Sequence, residues 1–121
     1  SLSPIKVDPG KMAQVLINLI INSIQAMPSG GEIKISSFKQ ITNNIENYFI
    51  TIIDNGCGIP ENQLGQVFDP FFTTRRSGGG IGLGLSVSKT IMDLHGGNIF
   101  LENVKEGGVK ATLLLVSLKE N

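Results

Sequence analysis

A chain of 121 residues has room for one compact domain and no second core. With 40% hydrophobic and 17% charged residues and a mean hydropathy of +0.16, it is too apolar and too weakly charged to stay disordered. Ten basic and ten acidic side chains cancel, so no overall basic field points to nucleic acid or to an anionic lipid surface. A single cysteine, Cys57, and a single histidine, His95, exclude an internal disulfide and the usual Cys/His zinc cluster. The lone thiol predicts a reducing, cytoplasmic setting. No apolar run reaches spanning length and Ser1–Gly10 lacks a signal-peptide order, so the domain is expected to make no membrane contact. Its start a few residues before a strong helix opening predicts a piece excised from a larger protein.

Asp8-Pro9 is that opening, an N-cap acceptor followed by a proline whose preset φ suits the first helical position. The helix is predicted to run to about Met27, where Pro28-Ser29-Gly30-Gly31 stops it. Glu32 to Lys39 alternates Ile33 and Ile35 with polar neighbours, as a half-buried strand does. Polar Gln40 to Asn47 then predicts a hairpin loop before a buried strand at Tyr48 to Ile53. After the loop Asp54 to Pro60 comes a short helix at Glu61 to Val67, followed by Phe68 to Gly80, which has no periodicity and is long enough to predict a functional loop. Helical spacing returns from Gly82 to Leu94 and ends at Gly96-Gly97. Asn98 to Val104 and Val109 to Leu118 predict two strands joined by a turn at Lys105-Glu106-Gly107-Gly108. Together these elements predict one α+β domain over residues 1–121, with helices on one face of a mixed, mostly antiparallel sheet.

Three stretches carry chemistry. On the first helix Gln14, Asn18, Asn22 and Gln25 fall within about 80° of arc, an amide stripe on a helix otherwise apolar and so predicted to be buried nearly all round. Amide oxygens suit a hard Mg²⁺ ion and amide NH₂ groups suit phosphate, so the stripe either lines a metal-phosphate cavity or forms an internal network bridging helix to sheet. Asp54-Asn55-Gly56-Cys57-Gly58-Ile59-Pro60 leaves a strand directly. Its glycines let backbone approach a flat ligand and its carboxylate can accept from an exocyclic amine, although the same pattern serves ordinary turns. Gly78-Gly79-Gly80-Ile81-Gly82-Leu83-Gly84 runs into a helix, an anion-binding arrangement that lacks both the P-loop Gly-Lys-Ser/Thr and the third glycine of a dinucleotide fingerprint. Arg75 and Arg76 lie just upstream, either reaching the same anion or sitting in a solvated loop. Phe68, Phe71 and Phe72 either plug the core or latch a lid, and His95 is predicted to be a helix-end residue.

In this order the blocks resemble the ATP-binding catalytic domain of sensor histidine kinases, within the gyrase, Hsp90, histidine kinase and MutL superfamily. Asn18-Leu19-Ile20-Ile21-Asn22-Ser23 resembles the N box, Asp54 to Gly58 the first glycine box, and Gly80 to Gly84 the second. Phe68-Asp69-Pro70-Phe71-Phe72-Thr73-Thr74 resembles the F box, in a form most like the nitrogen-regulator type. The resemblance spans Asp8 to Leu118 and implies a two-layer α/β sandwich of the Bergerat type that binds Mg²⁺ and ATP.

By the same resemblance Asn22 binds Mg²⁺ with Asn18 assisting, and Asp54 accepts from the adenine amino group. Gly58 lines the base, and Gly80, Gly82 and Gly84, with Leu85, present backbone to the phosphates, while Gly56, Ile59, Ile81 and Leu83 belong to the same ATP-binding set. Phe72, Thr73, Thr74 and Arg75 belong to an ATP lid over Asp69 to Gly79, and the family's adenine-side threonine corresponds to either Ala111 or Thr112. Gln25, Arg75, Ile81 and Lys110 depart from the residues the family often has there. The implied reaction is transfer of the γ-phosphoryl group of ATP to a histidine on a separate dimerisation and phosphotransfer domain of the same parent, with a response regulator downstream. His95 is not that acceptor. The alternatives are an ATP hydrolase or anti-sigma-type kinase of the same superfamily, disfavoured because Asn18 stands where a water-activating glutamate is needed, and a non-catalytic nucleotide-gated interaction module.

Overall fold

The structure, a computed structural model, describes residues 7–69 and 84–118. Helix α1 (Pro9–Gln25) begins where Asp8 caps it, one carboxylate oxygen accepting from the backbone N–H groups of Gly10 at 2.9 Å and Lys11 at 3.2 Å. It is followed by strands β1 (Ile33–Thr42) and β2 (Ile45–Asp54), a 3₁₀ turn (Glu61–Gln66), helix α2 (Gly84–Leu94), and strands β3 (Asn98–Asn103) and β4 (Val109–Leu118). The sheet order is β1-β2-β4-β3, and every described pairing is antiparallel rather than mixed.

Both helices lie on one sheet face. Alternation along the strands sends Ile52, Ile99, Ala111, Leu113 and Leu115 to that face, where they meet Val15 and Leu19 of α1 and Ile91 and Met92 of α2. Each fully buried aliphatic side chain there contributes about 1.5–3 kcal/mol, which is what holds the layers together. Phe68 packs against the same cluster, which settles its role as a plug in the core. The imidazole of His95 closes the helix pair: its Nε2 accepts from the Asp8 N–H at 3.0 Å, and its Nδ1 lies 2.8 Å from the Ile91 carbonyl. With Nε2 accepting, Nδ1 carries the proton and donates.

Four sequence expectations change. Polar Gln40 to Asn47 is no loop; the ladder continues to Thr42↔Ile45, and the turn is only Asn43-Asn44, with φ of 53° and 67°. Positive φ at both central residues is what a twist-matched two-residue hairpin demands, and asparagine tolerates it. β1 is not half-buried. It is the sheet edge, with Ile35, Phe38 and Ile41 at least half exposed, and is held partly by Phe38 stacked on Phe49 at 4.7 Å. Nor is α1 buried all round, because Ile17, Ile21 and Ile24 face away from the sheet and stay exposed. Likewise Leu94, which the helical spacing of the second helix had included, is 80% exposed.

At the far end of β2 the Glu46 side chain is buried and accepts a hydrogen bond from the Tyr48 hydroxyl. That bond, then burial, then the carboxylate charge, raise the tyrosine pKa above 10.0. A raised folded pKa contributes stability that is complete below pH 10.0 and is lost as pH climbs through the folded value. Tyr48 is the only tyrosine and there is no tryptophan, so phenolate absorbance reports it alone. The native midpoint should lie above that of the urea-unfolded chain, and Glu46→Gln should reduce the gap; coincident midpoints would contradict the pairing.

Candidate functional site

β2 delivers Asp54 at its last residue, on the face that carries the helices, with 5% of its surface exposed. Its Oδ1 accepts from the Gly56 N–H at 2.9 Å and from the Val109 N–H of β4 at 3.1 Å. One oxygen is therefore spent holding the loop, while Oδ2 makes no hydrogen bond to any described residue. A carboxylate fixed through one oxygen and free at the other is a directed acceptor.

The loop after Asp54 is pressed against the end of α1. A Cβ on Gly56 would come within 2.5 Å of the Ala26 carbonyl oxygen, so only glycine fits, and the Cys57 N–H donates to that carbonyl at 3.2 Å. The Asn55 side chain accepts from the Glu32 N–H at 3.0 Å, tying the loop to the start of β1.

Eight residues earlier on α1, the Asn18 Nδ2 donates to the Gly84 carbonyl at 3.2 Å and to the Ser88 Oγ at 3.3 Å. The amide NH₂ thus joins α1 to the first turn of α2, and Ser88, fully buried, is a partner that no sequence pattern marked. Helix bridges to helix here, not to the sheet. Asn18 Oδ1 keeps its lone pairs. Asn22 sits midway, four residues from Asn18 and four from Ala26, half-buried and without a side-chain hydrogen bond to any described residue. One helix therefore carries, in order, the contact with α2, an available amide and the contact with the glycine loop.

The stripe does not hold together at its first member. Gln14 is exposed and, with Lys11, Val87, Thr90 and Leu94, lines a separate groove of about 370 Å³ between the helices. Gln25 is half-buried. Gly58 and Ile59 follow Gly56 in the loop, and Leu85 packs its side chain against the core. On β4 the register sets the two adenine-side candidates on opposite faces of the sheet. Ala111 opposes Ile52 and lies on the Asp54 face, whereas Thr112 opposes Thr51 and points to the face away from the helices. Strand alternation therefore puts the Ala111 side chain, and not that of Thr112, on the same face as Asp54. Phe72, Thr73, Thr74, Arg75, Gly80, Ile81, Gly82 and Leu83 lie outside the described residues, as do Phe71 and Arg76.

Comparison with known proteins agrees with this geometry. The family described as histidine kinase-, DNA gyrase B-, and HSP90-like ATPase matches residues 7–119. The signal transduction histidine-protein kinase AtoS of Escherichia coli is 40% identical over 114 residues, covering 94% of this chain and 18% of that protein. The sensor histidine kinase ZraS of Salmonella typhimurium is 36% identical over 95% of this chain and 24% of its own length. The chain thus spans about a fifth of the length of these relatives. Among solved structures, a nucleotide-free catalytic domain of histidine kinase ThkA superposes with a TM-score of 0.79 at 36% identity, covering 94% of this chain and 72% of that one. An antiparallel sheet with its helices on one face, carrying an asparagine helix and an aspartate-glycine loop, is thereby accounted for: the chain belongs to the histidine kinase-, DNA gyrase B- and HSP90-like ATPases, as a histidine-kinase catalytic domain of the Bergerat type.

Proposed function

We propose that the chain binds ATP with Mg²⁺ between α1 and the loop Asp54–Pro60 and presents the γ-phosphoryl group to a histidine on a separate dimerisation domain of its parent. A response regulator then takes the phosphoryl group onward. The observation that carries the reading is the divided carboxylate of Asp54, with Oδ1 locked to the loop and Oδ2 left as an acceptor for an exocyclic amine. Because Gly56 and Gly58 lack side chains the loop lies close against Ala26 and Asn103, leaving its backbone to face the plane of the base, and Ala111 keeps the sheet side of that space small.

The donor set fits magnesium. Mg²⁺ takes hard oxygen ligands, few of them from protein, and the Asn22 amide oxygen is of that kind, with Asn18 Oδ1 one turn away. When bound, Mg²⁺ neutralises charge on the phosphate oxygens. The protein's own contribution is positioning: Asn18 fixes α2 against α1 through its NH₂ group, so the first turn of α2 stands at a set distance from Asn22. An amide at position 18 cannot accept a proton from water at neutral pH, which favours transfer over hydrolysis. No described helix is long and apolar enough to cross a membrane. The domain is proposed to work on the cytoplasmic side, where ATP is supplied.

The test is transfer of label from γ-labelled ATP. The isolated chain should acquire no stable label, and adding the histidine-bearing domain of the parent should give acid-labile, base-stable label on that domain. Stable label on the isolated chain, or none on the added domain, would sink the reading.

A further inference from the structure

The loop that carries the glycines is held at its far end by one side chain. Asn103, the last residue of β3, is half-buried; its Oδ1 accepts from the Ile59 N–H at 2.8 Å and its Nδ2 donates to the Ile59 carbonyl at 2.7 Å. One amide thus satisfies both backbone groups of a single residue 44 positions away, as a neighbouring strand would. The pairing also fixes the amide's orientation, because a flipped group would set NH₂ against N–H and oxygen against oxygen. Nδ2 further lies 3.3 Å from Glu61 Oε1, at the start of the 3₁₀ turn.

Besides Asn103, this leg carries the Gln63 N–H bond to the Pro60 carbonyl at 2.8 Å, made by the 3₁₀ turn that follows it, and a long Cys57 thiol contact to the Gly58 carbonyl at 3.5 Å. Gly58 has a φ of +77°, and a Cβ there would stand 3.1 Å from Asn103 Oδ1. The first leg is pinned by Asp54, Asn55 and Ala26; in the second, Asn103 is the described side chain that reaches the loop backbone from another strand. Without Asn103 the Ile59 backbone loses its tie to β3, and Gly58 is free to leave the plane that Gly56 defines.

We propose that Asn103 is a positioning residue of the nucleotide site. It sets the second half of the loop Asp54–Pro60 in the conformation that receives the base, acting through Ile59 without touching the ligand. The proposal rests on the reading of this site as an ATP site.

Cys57 supplies a local probe, being the chain's only cysteine and exposed within this loop. Four proteins are compared: wild type, Asn103→Ala, Asn103→Asp and the core control Ile99→Val on the same strand. Asn103→Asp preserves shape but sets an oxygen against the Ile59 carbonyl and a charge near Glu61. The rate of Cys57 reaction with a neutral aromatic disulfide, under fully native conditions, should rise several-fold in both Asn103 variants and stay at the wild-type rate in Ile99→Val. Affinity for a non-hydrolysable ATP analogue should fall by about tenfold in both Asn103 variants, with a reduced preference for adenine over guanine.

A merely structural role would lower stability in all three variants while leaving the thiol rate and the base preference alone, and that pattern overturns the proposal. Unchanged analogue affinity in folded Asn103 variants also overturns it. Failure of the ATP reading is seen separately, as wild-type protein that binds no analogue, and removes the site role of Asn103 whatever the thiol rates.

Discussion

Replacing Asp54 by asparagine should weaken nucleotide binding about 100-fold while leaving a folded domain. The amide keeps the side chain's shape and one oxygen, which can still accept from the N–H groups of Gly56 and Val109 as Oδ1 does now at 2.9 and 3.1 Å. Where Oδ2 was an acceptor, however, the variant presents an NH₂ donor to the donor amine of the base. A lost charged hydrogen bond together with a donor-donor contact costs about 3 kcal/mol, a factor of roughly 100 in the dissociation constant. Asp54→Ala should go further, because two backbone N–H groups at the β2–β4 junction lose their acceptor, and the melting temperature should fall with the affinity. The discriminating result is therefore an Asp54→Asn protein with near-native melting and binding weakened about 100-fold. Retained affinity in Asp54→Asn would remove the adenine contact from the account.

The second large effect is expected at Gly108 and not at its neighbour. Both Gly107 and Gly108 have positive φ, at 114° and 102°. A Cβ on Gly107 meets nothing nearer than the Gly56 carbonyl oxygen at 4.0 Å, so Gly107→Ala carries only backbone strain, on the order of 1–2 kcal/mol. A Cβ on Gly108 would lie 2.0 Å from the Asp54 carbonyl oxygen and 2.9 Å from the Asn55 Cα. Those are backbone atoms and cannot rotate away. Relief requires β4 to move off β2, which also withdraws the Val109 N–H from Asp54. Gly108→Ala should thus cost more than about 4 kcal/mol, a size tied to overpacking, and should lose analogue binding in whatever fraction still folds. Denaturant midpoints of the pair decide it; equal midpoints for the two alanine variants would mean that this turn does not press on the site.

Much of this was legible in the sequence, and the misses have physical causes. Asp8-Pro9 and the glycines after Leu94 mark the helices because caps and proline act locally. The β3–β4 hairpin reads correctly from a turn whose glycines are next to each other in sequence. Gln40 to Asn47 misled because polar residues on an edge strand resemble a loop, and whether a strand lies at the edge is decided by the sheet order, which is non-local. The exposure of Ile17, Ile21 and Ile24 was hidden for a related reason: apolar spacing says which residues share a face and not how many faces are covered.

At the site, Asp54, Gly56 and the asparagines of α1 were visible as residue types. Their partners were not. Ser88, Ala26 and the Val109 N–H are tertiary neighbours with no motif of their own, and Ala111 differs from Thr112 only by a strand phase that register alone fixes.

The central claim, that α1 and the loop after β2 form an adenine nucleotide site completed by Mg²⁺, is tested most directly by calorimetric titration of the wild-type chain. The ligand is a non-hydrolysable ATP analogue, with and without Mg²⁺, and the guanine analogue is the control. The account predicts saturable, adenine-selective binding that tightens when Mg²⁺ is present. Absence of binding at millimolar analogue, or equal binding of adenine and guanine nucleotides, would contradict it.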